Sequence, residues 1–233
     1  MKETRISVAM ATYNGEKYIK EQLDSILKQL NKNDEVVISD DGSTDNTIKI
    51  INSYKDRRIK LINGPKLGVK KNFENAIKNC NGKYIFLSDQ DDIWLDNKVN
   101  IILEEFKKNN CTILLHDAIV FDSNTNEIIY DSFYKFRNSR KGIINNIIKN
   151  SYIGCCMAFD SSLKEKILPI PNNIEMHDQW IGILGEKYGT ALFTQKKLIK
   201  YRRHDNNVSK LKHNSLFKMI KNRIEFIKQY VKR

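Results

Sequence analysis

Three carboxylates crowd into four residues at Asp89-Gln90-Asp91-Asp92, between the apolar run Tyr84-Ile85-Phe86-Leu87 and the pair Ile93-Trp94. Charges that close repel one another. A hard divalent cation such as Mg2+ or Mn2+ offsets them, because it takes oxygen ligands and keeps positions open for phosphates. The plain alternative is a solvated acidic turn that caps a helix starting near Asp96. A second acidic turn, Asp40-Asp41-Gly42-Ser43, also follows an apolar run, Glu35-Val36-Val37-Ile38-Ser39. Two such turns at strand ends favour a binding site over a cap.

Those turns need elements to hold them. Ile6 to Ala11 reads as a strand, followed by a helix over 16–28 with Ile19, Leu23, Ile26 and Leu27 on one face. Strands over 35–39, 59–62 and 84–87 alternate with helices over 45–54 and 70–80, the last with Phe73, Ala76 and Ile77 inward. Ser43 and Thr44 are candidate caps for the helix at 45. Strand–helix alternation predicts an α/β fold, a mostly parallel sheet flanked by helices. Ligands in such sheets bind beyond the carboxyl ends of the strands, so Thr12-Tyr13-Asn14, Asp40-Asp41 and the 89–92 cluster are expected to converge. Beyond residue 110 the pattern loosens. Strands are expected at 111–121 and 156–159, with 127–130 pairing to the first. Short strands follow at 191–194 and 198–201, and helices at 138–150, 161–168 and 177–188.

Composition bounds the classes. The chain of 233 residues is 40% apolar, enough for one large domain or a domain with an appendage. No run approaches the roughly 20 apolar residues of a bilayer span, and the start lacks a signal-peptide pattern, so a cytoplasmic protein is expected. Cys80, Cys111, Cys155 and Cys156 have neither metal nor disulfide spacing; they are read as reduced and buried. Net charge is +12, and residues 196–233 hold thirteen Lys and Arg against Asp205 and Glu225. An anionic partner is therefore expected at the C-terminal region. No glycine-rich phosphate loop occurs, so a bound diphosphate would rely on a metal.

Ala11-Thr12-Tyr13-Asn14-Gly15, Ser39-Asp40-Asp41-Gly42-Ser43-Thr44-Asp45 and Ser88-Asp89-Gln90-Asp91-Asp92-Ile93-Trp94 together resemble the family 2 glycosyltransferases of the GT-A fold, over residues 5–209. The last motif, with Tyr201-Arg202-Arg203-His204-Asp205 and the Asn-Asn-Val-Ser that follows it, looks most like the rhamnosyltransferase-type branch. The resemblance implies a Rossmann-like GT-A domain over 1–209. Residues 1–110 would be its nucleotide-sugar half, 111–209 its acceptor half, and 210–233 a basic amphipathic helical tail.

It also implies roles. Thr12, Tyr13, Asn14 and Glu16 would bind the donor, Tyr13 by stacking on a pyrimidine. Asp40 or Asp41 would accept the imide N–H of the base, one of them serving only the turn. Lys71 and Asn72 stand where the family often has Arg-Asn near the donor; Lys suits bidentate contact less well. Asp91 would be a direct metal ligand, with Asp89, Gln90 and Asp92 on the sugar side or supporting the metal. His204 would complete the metal shell or hold the diphosphate. Arg202 and Arg203 would offset charge on the leaving group, although strand alternation turns them to opposite faces. In Met176-His177-Asp178-Gln179-Trp180, Asp178 would be the general base of an inverting transfer and Trp180 a donor-side residue. The usual acidic pair is His177-Asp178 here, which leaves one carboxylate. The processive motif Gln-x-x-Arg-Trp is absent, so one sugar per encounter is expected, to a glycan or lipid-linked acceptor in cell-surface polysaccharide synthesis.

In the tail, Leu216, Phe217, Ile220, Ile224, Ile227 and Val231 recur at helical spacing among Lys and Arg. Such a helix either meets anionic lipid or packs on the domain with a solvated basic face. The competing functions are a sugar-nucleotide nucleotidyltransferase, which would want a basic glycine-rich loop after the first strand, and a nucleic-acid-binding module. The near-neutral main body argues against the second.

Overall fold

The computed structural model describes residues 6–205, 207 and 216–233, without the side chains of 216 and 217. Strand β1 (Ile6–Thr12) is buried throughout, as a parallel strand covered on both faces must be. Its side chains alternate between two cores: Ile6, Val8 and Met10 join one, Ala9 and Ala11 the other. Helix α1 (Ile19–Leu27) covers the first core with Ile19, Leu23 and Ile26. After β2 (Glu35–Asp40), α2 (Thr47–Ser53) and β3 (Ile59–Asn63), helix α3 (Val69–Lys78) covers the second core with Phe73, Ala76 and Ile77. Strand β4 (Tyr84–Ser88) runs into the acidic loop, then β5 (Ile93–Trp94) and α4 (Lys98–Asn109).

The second half comprises β6 (Ile113–Asp122), β7 (Ile128–Tyr130), α5 (Phe133–Arg137), α6 (Ile143–Ile148), β8 (Met157–Asp160), α7 (Lys164–Ile167), α8 (His177–Tyr188), β9 (Ala191–Arg203) and α9 (Leu216–Lys232). The strands form one nine-stranded sheet in the order β3-β2-β1-β4-β8-β6-β9-β5, with β7 on β6. The first four strands are mutually parallel, as is β6 with β9; β8 and β5 run antiparallel to their neighbours. The mostly parallel α/β sheet expected from the alternation is present.

Several boundaries differ. The two short strands expected at 191–194 and 198–201 are one strand, β9, whose register on β6 slips at His116 and Asp117. That bulge hides the continuity from a period-2 reading. The helix expected over 138–150 shortens to α6, Ile143–Ile148, and an unexpected short helix, α5, precedes it; Asn138 and Gly142, both at positive φ, lie between the two. Ser132 caps α5 by accepting from Lys135 N, and Asp117 holds the same turn, accepting from Ser132 Oγ at 2.5 Å and Tyr134 N at 2.9 Å. The segment 161–168 is a 3-10 turn and a single helical turn. Ser43 and Thr44 do not cap α2, which starts after Asn46; Ser43 is engaged by Asp40 instead.

Helix α9 packs on the second core through Phe226, edge-on to Trp180 with ring centroids 5.8 Å apart. It also leaves Ile220, Ile224, Ile227 and Val231 exposed, so the tail packs by one face and presents an apolar stripe on the other. The boundary expected at 209–210 lies outside the described residues. All four cysteines are buried and free of disulfides. No helix among the described residues is long and apolar enough to cross a membrane.

Candidate active site

Parallel pairing brings the ends of β1, β2, β3 and β4 to one edge. Thr12 pairs with Asp40, Asp40 with Asn63, and Met10 with Ser88. Asp40 organises its own turn: Oδ1 accepts from Gly42 N and Ser43 N, and Oδ2 from Ser43 Oγ and Thr12 Oγ1, at 2.6–3.1 Å. The turn needs Gly42, whose φ is +96°. Asp41 holds the next loop, accepting from Lys66 N at 2.7 Å and Gly68 N at 2.8 Å. Asn14, at φ 48°, accepts from Thr44 N and donates its own N–H to Ser43 Oγ. Glu16 accepts from Asn46 N and Nδ2. Tyr13 is left 56% exposed at the mouth of this edge, while Gln90 grips its backbone: Tyr13 N donates to Oε1 at 2.9 Å and Nε2 donates to Tyr13 O at 3.0 Å. A Cβ on Gly15 would lie 2.3 Å from Gln90 Oε1, so this clamp requires glycine there.

The acidic loop is seated from below by α1. Gln22 Nε2 donates to Ser88 Oγ and to Asp89 O, Ser25 Oγ accepts from Trp94 N, and Gln29 Nε2 donates to Leu95 O. Gln22 and Ser25 are buried among the apolar residues of α1, and Gln29 lies just past the helix end. From above, Arg202 donates through N to Asp92 Oδ1 at 3.0 Å and through Nε to Asp91 O at 2.7 Å, pairs with Glu21, and lies over the Tyr18 and Phe121 rings. Lys98 is buried, donates to Cys155 O at 3.1 Å, and has its ammonium 4.1 Å from the Trp94 ring centroid.

This loop is short of positive charge. Asp89, Asp92 and the Cys155 thiol have ligand atoms within 4.8 Å of one another, and buried Asp92 Oδ2 has no hydrogen-bond partner among the described residues, a costly state for a carboxylate oxygen. Burial first, then the neighbouring carboxylates, holds Asp89 well above the usual carboxylate range and raises Asp92. Asp91 Oδ2 meets His204 Nε2 at 2.8 Å. The two are hydrogen-bonded at that distance, which is also close to the ~3 Å that separates two cis ligands of a small octahedral cation. Burial keeps the Cys155 thiol protonated, and a thiol is a poor ligand for a hard cation. The carboxylates and His204 therefore fit a divalent cation.

His204 also stacks on Tyr18, 4.7 Å between centroids, and lines a cavity of about 730 Å³. The cavity wall includes Asp178 and Arg203 beside Tyr130, Phe133, Ile147 and Met219. Asp178 stands in the first turn of α8, and its Oδ1 accepts from Gln179 N at 2.6 Å and Asn150 Nδ2 at 3.2 Å. Burial raises its carboxyl to about 6 despite these bonds. Its charge contributes to the upward shift of Asp89, so the two sites feel one another. His177, next to it, is buried and stacked on Phe73 at 4.1 Å, with both ring nitrogens unpartnered among the described residues; burial lowers it to about 3.

Four expected site residues have other duties. Trp180 is only 1% exposed and donates Nε1–H to Ile167 O at 2.8 Å; it is a core residue, because its place in α8 faces α9. Lys71 pairs with Glu74 and donates to Ile170 O, both at 2.7 Å, tying α3 to the loop before α8. Arg202 is committed to the acidic loop, and Arg203 is the one of the pair at the cavity, as strand alternation requires. Asn72 is buried and donates to Thr12 O at 3.1 Å, so it supports the end of β1. Sequence reasoning missed Gln22, Gln29 and Lys98; for Gln22 and Lys98 the signal was a polar residue at a position of an otherwise apolar stripe.

Comparison with known proteins fits this architecture. The family model Glycosyl transferase family 2 matches residues 7–168. The Escherichia coli UDP-Glc:alpha-D-GlcNAc-diphosphoundecaprenol beta-1,3-glucosyltransferase WfgD is 30% identical over 219 residues, 93% of this chain and 84% of that protein. The Shigella flexneri dTDP-rhamnosyl transferase RfbG is 30% identical over 217 residues, 85% of this chain and 72% of that protein. Among solved structures, S. aureus TarS with UDP-GlcNAc superposes with a TM-score of 0.74 at 19% identity, over 96% of this chain and 67% of TarS; in another crystal structure of the fragment the chain spans 60% of it. The family match covers each strand whose end carries the 12–16, 40–45 and 88–94 loops, and this chain belongs to glycosyl transferase family 2: it is a glycosyltransferase.

Proposed function

We propose that the chain moves one sugar, with inversion, from a nucleotide-diphosphate sugar to a hydroxyl of a glycan or lipid-linked acceptor in cell-surface polysaccharide synthesis. The observation that carries this is the shared cavity: Asp178 and His204 line it together, and His204 touches Asp91 of the acidic loop. A base on the acceptor side thus stands across from the group that meets a diphosphate.

In this reading Tyr13 stacks on the base, with Thr12, Asn14 and Glu16 shaping its seat and Asp41 or Asp40 accepting its imide N–H. Asp89, Gln90 and Asp92 serve the sugar side. Asp91 and His204 would hold the divalent cation, Mn2+ or Mg2+, whose chemistry is to neutralise charge on the departing nucleoside diphosphate. Arg203 adds positive charge near the same cavity. Asp178 takes the proton of the acceptor hydroxyl as its oxygen bonds the anomeric carbon and the carbon–diphosphate bond breaks. Residues 1–110 form the donor half and 111–209 the acceptor half. The 210–233 tail is the candidate for peripheral contact with an anionic membrane. Family membership removes the basis for the nucleotidyltransferase and nucleic-acid readings.

The relatives' names carry different donors, glucose on UDP and rhamnose on dTDP, so both head the donor panel. Saturation-transfer NMR with UDP-, GDP- and dTDP-sugars, with and without Mn2+, tests the donor assignment. Cation-dependent saturation of one nucleotide sugar is expected; no saturation by any of them would overturn it.

A further inference from the structure

Most of the large apolar side chains that the described residues expose lie on the elements that contribute to the cavity wall, β7, α5, α6 and α9. Ile128 and Ile129 on β7, Phe136 on α5, and Ile144 and Ile148 on α6 are exposed, Ile144 by 74%. Ile220, Ile224, Ile227 and Val231 on α9 follow, Val231 by 75%. Elsewhere the exposed set is Tyr13, Ile48, Leu67 and Tyr188. The elements are joined. Tyr130 of β7 stacks on Phe136 at 3.8 Å, and Arg223 of α9 donates to Ile148 O at the end of α6. Ile129, Phe136, Ile148, Met219 and Arg223 line the cavity itself.

The balance of charge on this part of the chain is positive. Residues 127–150 contain five Lys or Arg against Glu127 and Asp131, and residues 216–233 contain six against Glu225. On α9, Lys221, Lys228 and Lys232 lie on the exposed side with the isoleucines. The opposite side is used up: Phe226 is buried against Trp180, and the Arg233 guanidinium donates to Lys166 O and Glu165 O. An apolar face with a net excess of positive charge suits an anionic interface with an apolar interior.

We propose that β7, α5, α6 and α9 form one composite face that docks on an anionic lipid bilayer, with the cavity opening at the bilayer surface. The face is wider than the tail. It deepens the proposed function, resting on the reading of the cavity as the acceptor side: an acceptor with a lipid anchor reaches Asp178 while its anchor stays in the membrane. The apolar side chains enter the headgroup boundary and the lysines meet lipid phosphates.

The test is co-sedimentation of the full chain with phosphatidylcholine vesicles and with vesicles also containing phosphatidylglycerol, at low and high salt. Binding to the anionic vesicles alone is expected, weakened by salt. Ile144→Glu, far from α9 in sequence, and Ile227→Glu each lower it on the order of tenfold, with circular dichroism and melting unchanged. No vesicle binding, or equal binding to both vesicle types, overturns the proposal, and loss only with Ile227→Glu reduces it to a tail contact and overturns the composite face. Sedimentation velocity without vesicles supplies another outcome: self-association abolished by either substitution makes the face an interface between copies and overturns lipid docking. Donor binding is measured without vesicles in the same variants. Vesicle binding without nucleotide-sugar binding would sink the functional reading and leave the surface standing, and the reverse would do the opposite.

Discussion

At the sheet edge where β1, β2 and β4 end, nearly every polar side chain is held by another part of the chain. Around the cavity, apolar side chains such as Ile129, Phe133 and Ile148 alternate with charged ones such as Glu175, Arg203 and Arg223, several side chains face solvent, and the elements are short. At the first, Asp40 receives four hydrogen bonds and Gln90 exchanges two with Tyr13. At the second, α5 and α6 span five and six residues. The contrast teaches a division of labour. In the proposed function, a donor common to many reactions would meet a preorganised edge, which costs no reordering on binding, and an acceptor would meet a looser surface whose chemistry centres on Asp178.

The sharpest way to break this contrast is Asp178→Asn. Turnover is expected to fall about a thousandfold with donor affinity unchanged, read by steady-state rates and donor titration. A parallel loss of donor affinity would assign Asp178 to the donor edge. The wild-type pH profile sharpens the same point. Asp178 must be ionised to accept a proton, and burial raises it to about 6, so kcat is level above that pH and falls as pH drops through it. A rate that rises on acidification would exclude Asp178 as base.

Asp91→Asn comes next. Cation-dependent nucleotide affinity is expected to drop by roughly a hundredfold, measured calorimetrically with Mn2+. Unchanged affinity would move the cation away from the Asp91–His204 pair. Gln90→Ala tests whether preorganisation matters on the donor side. The Tyr13 loop loses its clamp, so the donor KM rises about tenfold, near 1.4 kcal/mol, while kcat changes little. A fall in kcat alone would give Gln90 a direct part in the chemistry. The smallest effect on activity belongs to Trp180→Phe. It removes the bond to Ile167 O and costs roughly 1–3 kcal/mol of stability, seen in chemical denaturation, with donor KM and kcat retained. A selective loss of donor binding would return Trp180 to the site.

Legibility followed locality. The three acidic and polar motifs each sit where a buried strand gives way to a loop, and the run Ile6–Thr12 shows its burial on both faces in its own composition. Strand–helix alternation then implies a parallel sheet, and a parallel sheet implies that the strand ends converge. Asp178 is singled out by the family resemblance, since a lone carboxylate at a helix start is by itself equally a helix-terminal acid. The break expected within β9 shows where that reasoning stops, since a bulge is defined only against the partner strand.

What the sequence determined by itself was therefore the set of motifs, the fold class they occupy and the family they resemble. Only the tertiary structure decided which side of an element each residue faces and what it touches. Trp180 and Asp178 stand two residues apart in one helix, yet one is locked against α9 and the other lines the cavity, because a helix turns about 100° per residue. Lys71 reaches Ile170 and Gln22 reaches Asp89 across gaps of 99 and 67 residues. Such contacts depend on the packing of whole elements, which spacing within one segment does not encode.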